Sequence, residues 1–330
     1  MIEFNPNLEI AKDVLQKAYE SKLISFKPSL VVPYTEGGGS LALKVKNQFG
    51  TEYAVRFPRK EHILQNMLQE KKKLDFINSE NVSETSGVII PSLNYVDKSE
   101  IPFVWHKAIK GDVLYGFGGT EGVDYNELTS EQKFILSQDI AKFMNAIHSI
   151  PIEKAKGLIA PRFIAETKQD IIKFFGFAEI DQLYDILSTK IPDGSFSKIE
   201  QSINDLDYSD TICHFDLHGR NMAIDKTKKK VLNGIFDFGD VSINKRVADF
   251  YKLSFVHRDL MRRVVSEYNK ISAEKVNITD VDFIYLAAMA RFLEQSPKDG
   301  IINNSVSNFS NDYSEYETIQ KLHLLSKQNG

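Results

Sequence analysis

The chain has 330 residues, of which 42% are hydrophobic and 26% charged, with a formal net charge of -4. That length accommodates two lobes, the apolar fraction excludes a disordered chain, and the acidic balance excludes bulk attraction to nucleic acid or to an anionic membrane. A single cysteine, Cys213, excludes an internal disulfide, and with no signal-peptide pattern at Met1 and no apolar run of membrane-spanning length the expected location is the cytoplasm.

In chain order, Asn5 and Pro6 read as the N-cap and first-turn proline of an amphipathic helix reaching about Ser21. Three strands follow at 29–34, 40–46 and 52–57, rich in Val, Leu, Tyr and Phe with partial alternation. Gly37, Gly38 and Gly39, followed by Ser40, form a turn whose backbone N–H groups can close on phosphate oxygens with no side chain in the way. In Tyr53-Ala54-Val55-Arg56-Phe57 the alternation puts Ala54 and Arg56 on one face, so a cation stands two residues after a small side chain. A helix over 61–77 carries Ile63, Met67, Leu74 and Ile77 on one stripe, and Glu70 falls on the same stripe. A carboxylate on an apolar face needs a partner, for which Arg56 is the obvious candidate. Glu61, in the first turn, is accounted for by the helix dipole.

Strands near 88–90 and 101–105 lead to His106-Lys107-Ala108-Ile109-Lys110-Gly111, and Gly116-Phe117-Gly118-Gly119 reads as a flexible connection. A helix over 129–149, capped by Thr129 or Ser130, buries Phe134, Ile135, Ile140, Phe143, Met144 and Ile147, and His148 in its last turn reads as a dipole or packing residue. The segment 152–210 combines Phe174, Phe175, Phe177 and Tyr184 with Glu166, Asp170, Asp181 and Asp185. Such acids, with Asp312, Glu315 and Glu317, suit a polycationic acceptor, whereas the aromatics suit a macrolide or a quaternary amine. Cys213 reads as a buried strand residue.

The chemistry concentrates beyond it. In His214-Phe215-Asp216-Leu217-His218-Gly219-Arg220-Asn221 an acid precedes an amide by five positions, and Asp237-Phe238-Gly239-Asp240 follows. Phosphoryl transfer from a nucleotide needs a carboxylate to orient the attacking hydroxyl and oxygen ligands to hold magnesium, and this spacing supplies both. Met222 to Ile224 and Val231 to Phe236 are apolar runs around a polar turn containing Lys228, Lys229 and Lys230, a hairpin that would return Asp237 to Asn221. Each residue alone reads as an ordinary loop acid or amide; the joint spacing carries the assignment.

His257-Arg258-Asp259-Leu260 is a literal match to a protein-kinase catalytic loop, but Val264 stands where the metal-binding amide belongs and no Asp-Phe-Gly follows. Phe250, Leu253, Val256, Leu260, Val264 and Tyr268 recur at helical spacing, so Asp259 reads as a solvated helix acid. After Asp237 there is no Ala-Pro-Glu, and 241–247 runs almost directly into a helix near Asp249, itself a cap or fold residue, which leaves no room for an activation loop.

The glycine turn, Arg56, Glu70, Ile109-Lys110-Gly111, Ile147-His148, His214-x-Asp216-Leu217-His218-x-x-Asn221 and Asp237-Phe238-Gly239-Asp240 together resemble the aminoglycoside phosphotransferase and choline kinase-like family. The resemblance implies an α+β, two-lobed protein kinase-like fold, with an antiparallel-sheet nucleotide-binding lobe over 1–110 and a mainly helical catalytic lobe over 111–330, including an insertion at about 152–210. It implies ATP or GTP as donor, Mg2+, and transfer to a hydroxyl of a small molecule, an aminoglycoside first and a macrolide, choline or sugar alcohol next. Carried over by position, Asp216 is the base, Asn221 and Asp237 the metal ligands, and Arg56 and Glu70 the phosphate-binding pair, with an arginine where the family has lysine. Main-chain atoms of Lys107 and Ile109 would meet the nucleotide base, and His214 would be a structural support. Neither a nucleic acid nor a membrane is an expected partner, and a non-catalytic nucleotide-binding regulator is the rival from another class.

Overall fold

The computed structural model describes residues 3–4, 6–36, 39–114, 122–188, 208–227 and 230–295. The chain divides into two compact units, the first made of Met1–Gly111 with Asn233–Val241, the second of Asp112–Leu232 with Ser242–Gly330.

The first unit opens with helix α1 (Leu8–Glu20), whose N-cap is Asn7 and not Asn5: the Asn7 side chain accepts the Ile10 N–H at 2.9 Å, satisfying one of the free donors of the first turn. Strands β1 (Pro28–Glu36), β2 (Ser40–Asn47) and β3 (Glu52–Pro58) follow, then helices α2 (Glu61–Ser79) and α3 (Val82–Ser86), and strands β4 (Asn94–Val96) and β5 (Phe103–Lys107). The five strands form one sheet in the order β1-β2-β3-β5-β4, antiparallel throughout. Alternation along β2 and β3 sends Leu41, Leu43, Val45, Val55 and Phe57 into a core completed by Ala11, Val14 and Leu15 of α1 and Phe103 of β5.

Two expectations need correction in this unit. Residues 88–90 are not a strand of the sheet; Ile89 makes a single parallel bridge to Gly234, and the strand beside β5 is Asn94–Val96. On α2 the buried positions are Leu64, Met67, Glu70, Leu74 and Ile77, with Leu64 in the place expected of Ile63. A Cβ on Gly234 would stand 2.6 Å from the Ile89 carbonyl oxygen and 2.8 Å from Ile109 Cγ2. Because the first of those atoms is backbone, Gly234→Ala is expected to destabilise this unit by about 1–3 kcal/mol, measurable as a lower denaturation midpoint.

The second unit contains β6 (Asp112–Val113), α4 (Ser130–His148), β7 (Pro161–Phe163), α5 (Lys168–Phe174), α6 (Ile180–Ser188), β8 (Asp210–Cys213) and β9 (Met222–Ile224). After β10 (Leu232–Ile235), which leads into the first unit's second segment, come β11 (Ser242–Lys245), α7 (Arg258–Ile271) and α8 (Ile278–Gln295). α4 begins with a reciprocal cap between Thr129 and Gln132, and it buries Leu136, Ile140, Phe143, Met144 and Ile147. Phe134 is instead 43% exposed, because the stripe facing α7 starts at Leu136. β11 pairs with β7 in parallel and with β8 antiparallel, so 152–210 contributes strands as well as helices. The exit after 241 is therefore a strand and a short 3-10 turn, Arg246–Asp249, and the helix carrying Leu260 and Tyr268 starts only at Arg258. No helix among the described residues is long and apolar enough to cross a membrane.

Candidate active site

Asp216 lies in the loop that leaves β8, immediately after Phe215, whose backbone is left-handed at φ 60°. A bulky residue rarely adopts that conformation, so something must hold it. The holder is Asp249, at the end of the 3-10 turn and 1% exposed: its Oδ1 accepts the Phe215 N–H at 2.7 Å and its Oδ2 the His214 N–H at 3.1 Å. Behind it a buried relay continues. His148 Nε2 meets Asp249 Oδ2 at 3.0 Å, His148 Nδ1 meets the Tyr268 hydroxyl at 2.9 Å, and Arg246 donates to that hydroxyl at 2.6 Å. Burial pushes the His148 pKa down, which keeps the ring neutral, with Nε2–H donating and Nδ1 accepting. Burial alone would raise the Asp249 carboxyl, but the His148 hydrogen bond and the facing N–H groups outweigh it and hold it below the usual range.

Both oxygens of the Asp216 carboxylate meet neighbours of this unit. Oδ2 accepts from Asn221 Nδ2 at 2.9 Å and stands 3.5 Å from His218 Nε2, and Oδ1 accepts from the Lys252 ammonium. Burial raises its proton affinity, but His218 and Lys252 overcome that effect and place its pKa below the ordinary carboxylate range, so it is ionised at neutral pH. Asn221 closes the short 3-10 turn Gly219–Asn221 and spends its amide N–H groups on the Asp216 carboxylate and the Asp216 carbonyl, the latter at 2.9 Å. Its side-chain oxygen is thereby turned away from Asp216, the orientation a metal ligand needs. The His214 ring nitrogen Nδ1 accepts the Asp216 N–H at 3.3 Å, a supporting contact.

In the first unit, Arg56 of β3 and Glu70 of α2 form an ion pair at 2.5 Å, with side chains 27% and 7% exposed. Glu70 also accepts the Phe238 N–H, and its pKa is raised, first by burial and then by the nearby Asp237 carboxylate, with Arg56 acting in the opposite sense. Asp237 is left-handed at φ 65°, and α2 grips the residues after it a second time, through Lys73 donating to the Gly239 carbonyl at 2.6 Å. Of the glycine turn, Gly37 and Gly38 lie outside the described residues. Gly39 accepts the Arg59 N–H at 3.0 Å, and Ser40 pairs with Pro58 at the start of β2. Lys107 ends β5, with its carbonyl 3.0 Å from His106 Nδ1, and Ile109 follows in the segment whose Ala108 N–H bonds to the Glu52 carbonyl. Gly116 to Gly119, Lys228, Lys229, Asp312, Glu315 and Glu317 lie outside the described residues.

Two other constellations have structural explanations. Asp259 is on a helix as expected, with its side chain 40% exposed, and it also accepts from the Tyr125 hydroxyl and from Arg263 Nε, both at 2.7 Å, while His257 caps α7 by accepting the Asp259 N–H at 3.1 Å. The literal kinase motif is therefore a helix start clasped to Tyr125. His148, Cys213 and Asp249 bring three metal-competent atoms within 4.8 Å of one another. Both His148 nitrogens and both Asp249 oxygens are already hydrogen-bonded, and burial raises the Cys213 thiol well above its ordinary pKa, so this is a hydrogen-bonded support.

Sequence reading missed Lys252, Lys73 and the anchoring role of Asp249 with His148. Lys73 stands three residues after Glu70, on the same helix face, and that spacing was the available signal. Lys252, in the 3-10 turn Tyr251–Phe255, offered none, because its partner Asp216 is 36 positions away. Of the insertion's acids, Asp170 caps α5 through Thr167, and Glu166 and Asp181 are exposed.

The model of the phosphotransferase enzyme family matches residues 36–272. Among solved structures, the GDP and kanamycin complex of APH(2")-IIia superposes with a TM-score of 0.63 at 19% identity, covering 94% of this chain and 99% of that one. Macrolide 2'-phosphotransferase MphH from Brachybacterium faecium gives 0.59 at 8% identity, covering 89% and 97%. Spectinomycin phosphotransferase APH(9)-Ia, in complex with ADP and spectinomycin, gives 0.54 at 13% identity, covering 96% and 95%. These likenesses show a shared fold, the α+β kinase-like arrangement of an antiparallel sheet and a mainly helical portion. Among curated proteins, none matches.

Proposed function

The chain belongs to the phosphotransferase enzyme family, and from that premise we propose that it moves the γ-phosphoryl group of ATP or GTP to a hydroxyl of a small molecule, with Asp216 as the base. The observation that carries this reading is the Asp216 carboxylate, ionised, backed by a left-handed Phe215 turn and bonded to the amide of Asn221. Such a group accepts the hydroxyl proton and aims the oxygen for in-line attack.

Asn221 and Asp237 are the proposed holders of Mg2+. The fit rests on their chemistry: an amide oxygen left over when both N–H groups are spent, and a carboxylate whose repulsion of Glu70 a cation would relieve. Bound there, the ion would neutralise negative charge on the donor phosphates. Arg56, fixed by Glu70, is the proposed phosphate-binding cation. Glu70→Ala is expected to raise the KM for the donor about tenfold, a discounted value because Arg56 is partly exposed and can find solvent. A donor KM within twofold of wild type would remove Arg56 and Glu70 from this role. Gly39 and Ser40, with Gly37 and Gly38, are the proposed phosphate loop, and main-chain atoms of Lys107 and Ile109 the proposed contacts to the nucleotide base.

An aminoglycoside is the leading acceptor, supported by the kanamycin and spectinomycin bound by proteins of the same fold. One observation favours a more apolar acceptor such as a macrolide: Phe174, 38% exposed, and Phe175 present rings on a cluster of buried Phe163, Phe215 and Tyr251, and Phe215 directly precedes the base. Nucleoside-diphosphate release measured across aminoglycosides, macrolides, choline and sugar alcohols, with ATP and GTP compared, decides between them. No release with any hydroxyl compound would overturn the enzymatic reading in favour of a nucleotide-binding regulator.

A further inference from the structure

We propose that Lys252 is a catalytic residue: its ammonium, docked on the base in the resting enzyme, contacts the phosphoryl group during transfer. The inference rests on Asp216 being the base. A carboxylate oxygen accepts about two hydrogen bonds. Oδ2 already faces Asn221 Nδ2 at 2.9 Å and His218 Nε2 at 3.5 Å, whereas Oδ1 carries Lys252 alone among the described contacts. The acceptor hydroxyl therefore docks on Oδ1, beside the lysine. Two donors sharing one oxygen at ordinary bond lengths sit roughly 4–5 Å apart, which is within the swing of an ammonium on a four-carbon stem.

The placement is costly unless the cation acts. A positive charge on a general base lowers its proton affinity, and with side chains only 21% and 19% exposed the desolvation of both charges offsets much of their attraction. The same cation becomes favourable when negative charge spreads over the phosphoryl oxygens next to the attacking hydroxyl. Lys252 is also confined: it stands over the Phe215 ring at 5.8 Å, and its 3-10 turn follows directly on the anchored Asp249. In the step, the bond from the acceptor oxygen to the γ-phosphorus forms as the bond to the bridging oxygen breaks. The hydroxyl proton passes to Asp216, the nucleoside diphosphate leaves with the electron pair, and Lys252 stays protonated and moves from Oδ1 to a non-bridging phosphoryl oxygen.

The anion that meets Lys252 could instead belong to the acceptor, and replacement of a non-bridging γ-oxygen by sulfur separates the two sources. Full-length wild type, Lys252→Ala and Lys252→Arg are compared with ATP and with ATPγS in excess Mg2+, using water and then kanamycin as nucleophile. Lys252→Ala is expected to lose roughly 10²-fold in kcat, with donor KM and melting temperature unchanged. Its ATP to ATPγS rate ratio should collapse several-fold toward unity, and Lys252→Arg should recover part of both. An unchanged ratio with both rates lowered alike would overturn the proposal and leave Lys252 as a prop for Asp216. A rise confined to the acceptor KM would overturn it in favour of acceptor binding. Asp216→Asn, run alongside, separates the premises: if it stays active the base assignment fails, whatever Lys252 does, and a wild type inactive with both nucleophiles sinks the two together.

Discussion

Asp216→Asn is expected to lower kcat by about 10²–10⁴-fold while leaving the donor KM and the fold unchanged. The substitution is nearly isosteric, so the contacts of the loop survive in part: the amide oxygen can still accept from Asn221 Nδ2 or from Lys252, bonds now made to a carboxylate. What disappears is the charge and the site for the hydroxyl proton. Because the proposed phosphate-binding pair is Arg56 and Glu70, whose ion pair does not involve Asp216, donor affinity should be untouched. Steady-state kinetics with the best acceptor from the release assay, together with equilibrium nucleotide binding, check both halves. Loss of donor binding alongside kcat would mean that Asp216 acts on the donor and not on the acceptor.

How far the site could be read in advance depends on the range over which each residue finds its partner. The pairing of Asn221 with Asp216 was legible because five positions separate them within one short stretch. The cap of α4 was legible to within one position, Thr129 or Ser130, because capping is local, and the structure gives Thr129 paired with Gln132. Arg56 and Glu70 were legible at one remove, since a carboxylate on an apolar stripe calls for a cation. Local pattern misled where two positions had equal claims: Asn5 and Asn7 are both good cap residues by type, and Asn7 is the one that caps the helix, accepting the Ile10 N–H. It failed outright where the partner comes from the fold. Lys252 reaches Asp216, and Asp259, partly exposed as pattern had it, also reaches Tyr125 across 134 positions. β4 is three residues long, too short for alternation to show.

Asp249 belongs to that last class, and its substitution should have the largest effect on stability. Asp249→Asn keeps the shape but replaces one acceptor oxygen by an NH₂ group. Three donors converge on the carboxylate: the N–H groups of Phe215 and His214, and Nε2–H of His148. Whichever way the amide is turned, at least one buried donor faces another donor, and the left-handed Phe215 loses part of what holds it. A loss of about 3 kcal/mol is expected, measured by chemical denaturation: a buried donor left facing another donor costs about 1–3 kcal/mol, and the charge-assisted bonds that become neutral ones add to it. The sign of the pH dependence follows from the same relay. The Asp249 carboxyl is held below its ordinary pKa when folded, so its contribution is present above the unfolded value of about 3.9 and is lost as pH falls through the folded one. His148 is held neutral by burial while the unfolded ring takes a proton near pH 6.5, so wild-type stability should begin to fall as pH drops below that value. In Asp249→Asn the component below about pH 4 should vanish, because the carboxyl that produced it is gone. A variant as stable as wild type and equally sensitive to acid would show that the Phe215 turn does not depend on Asp249.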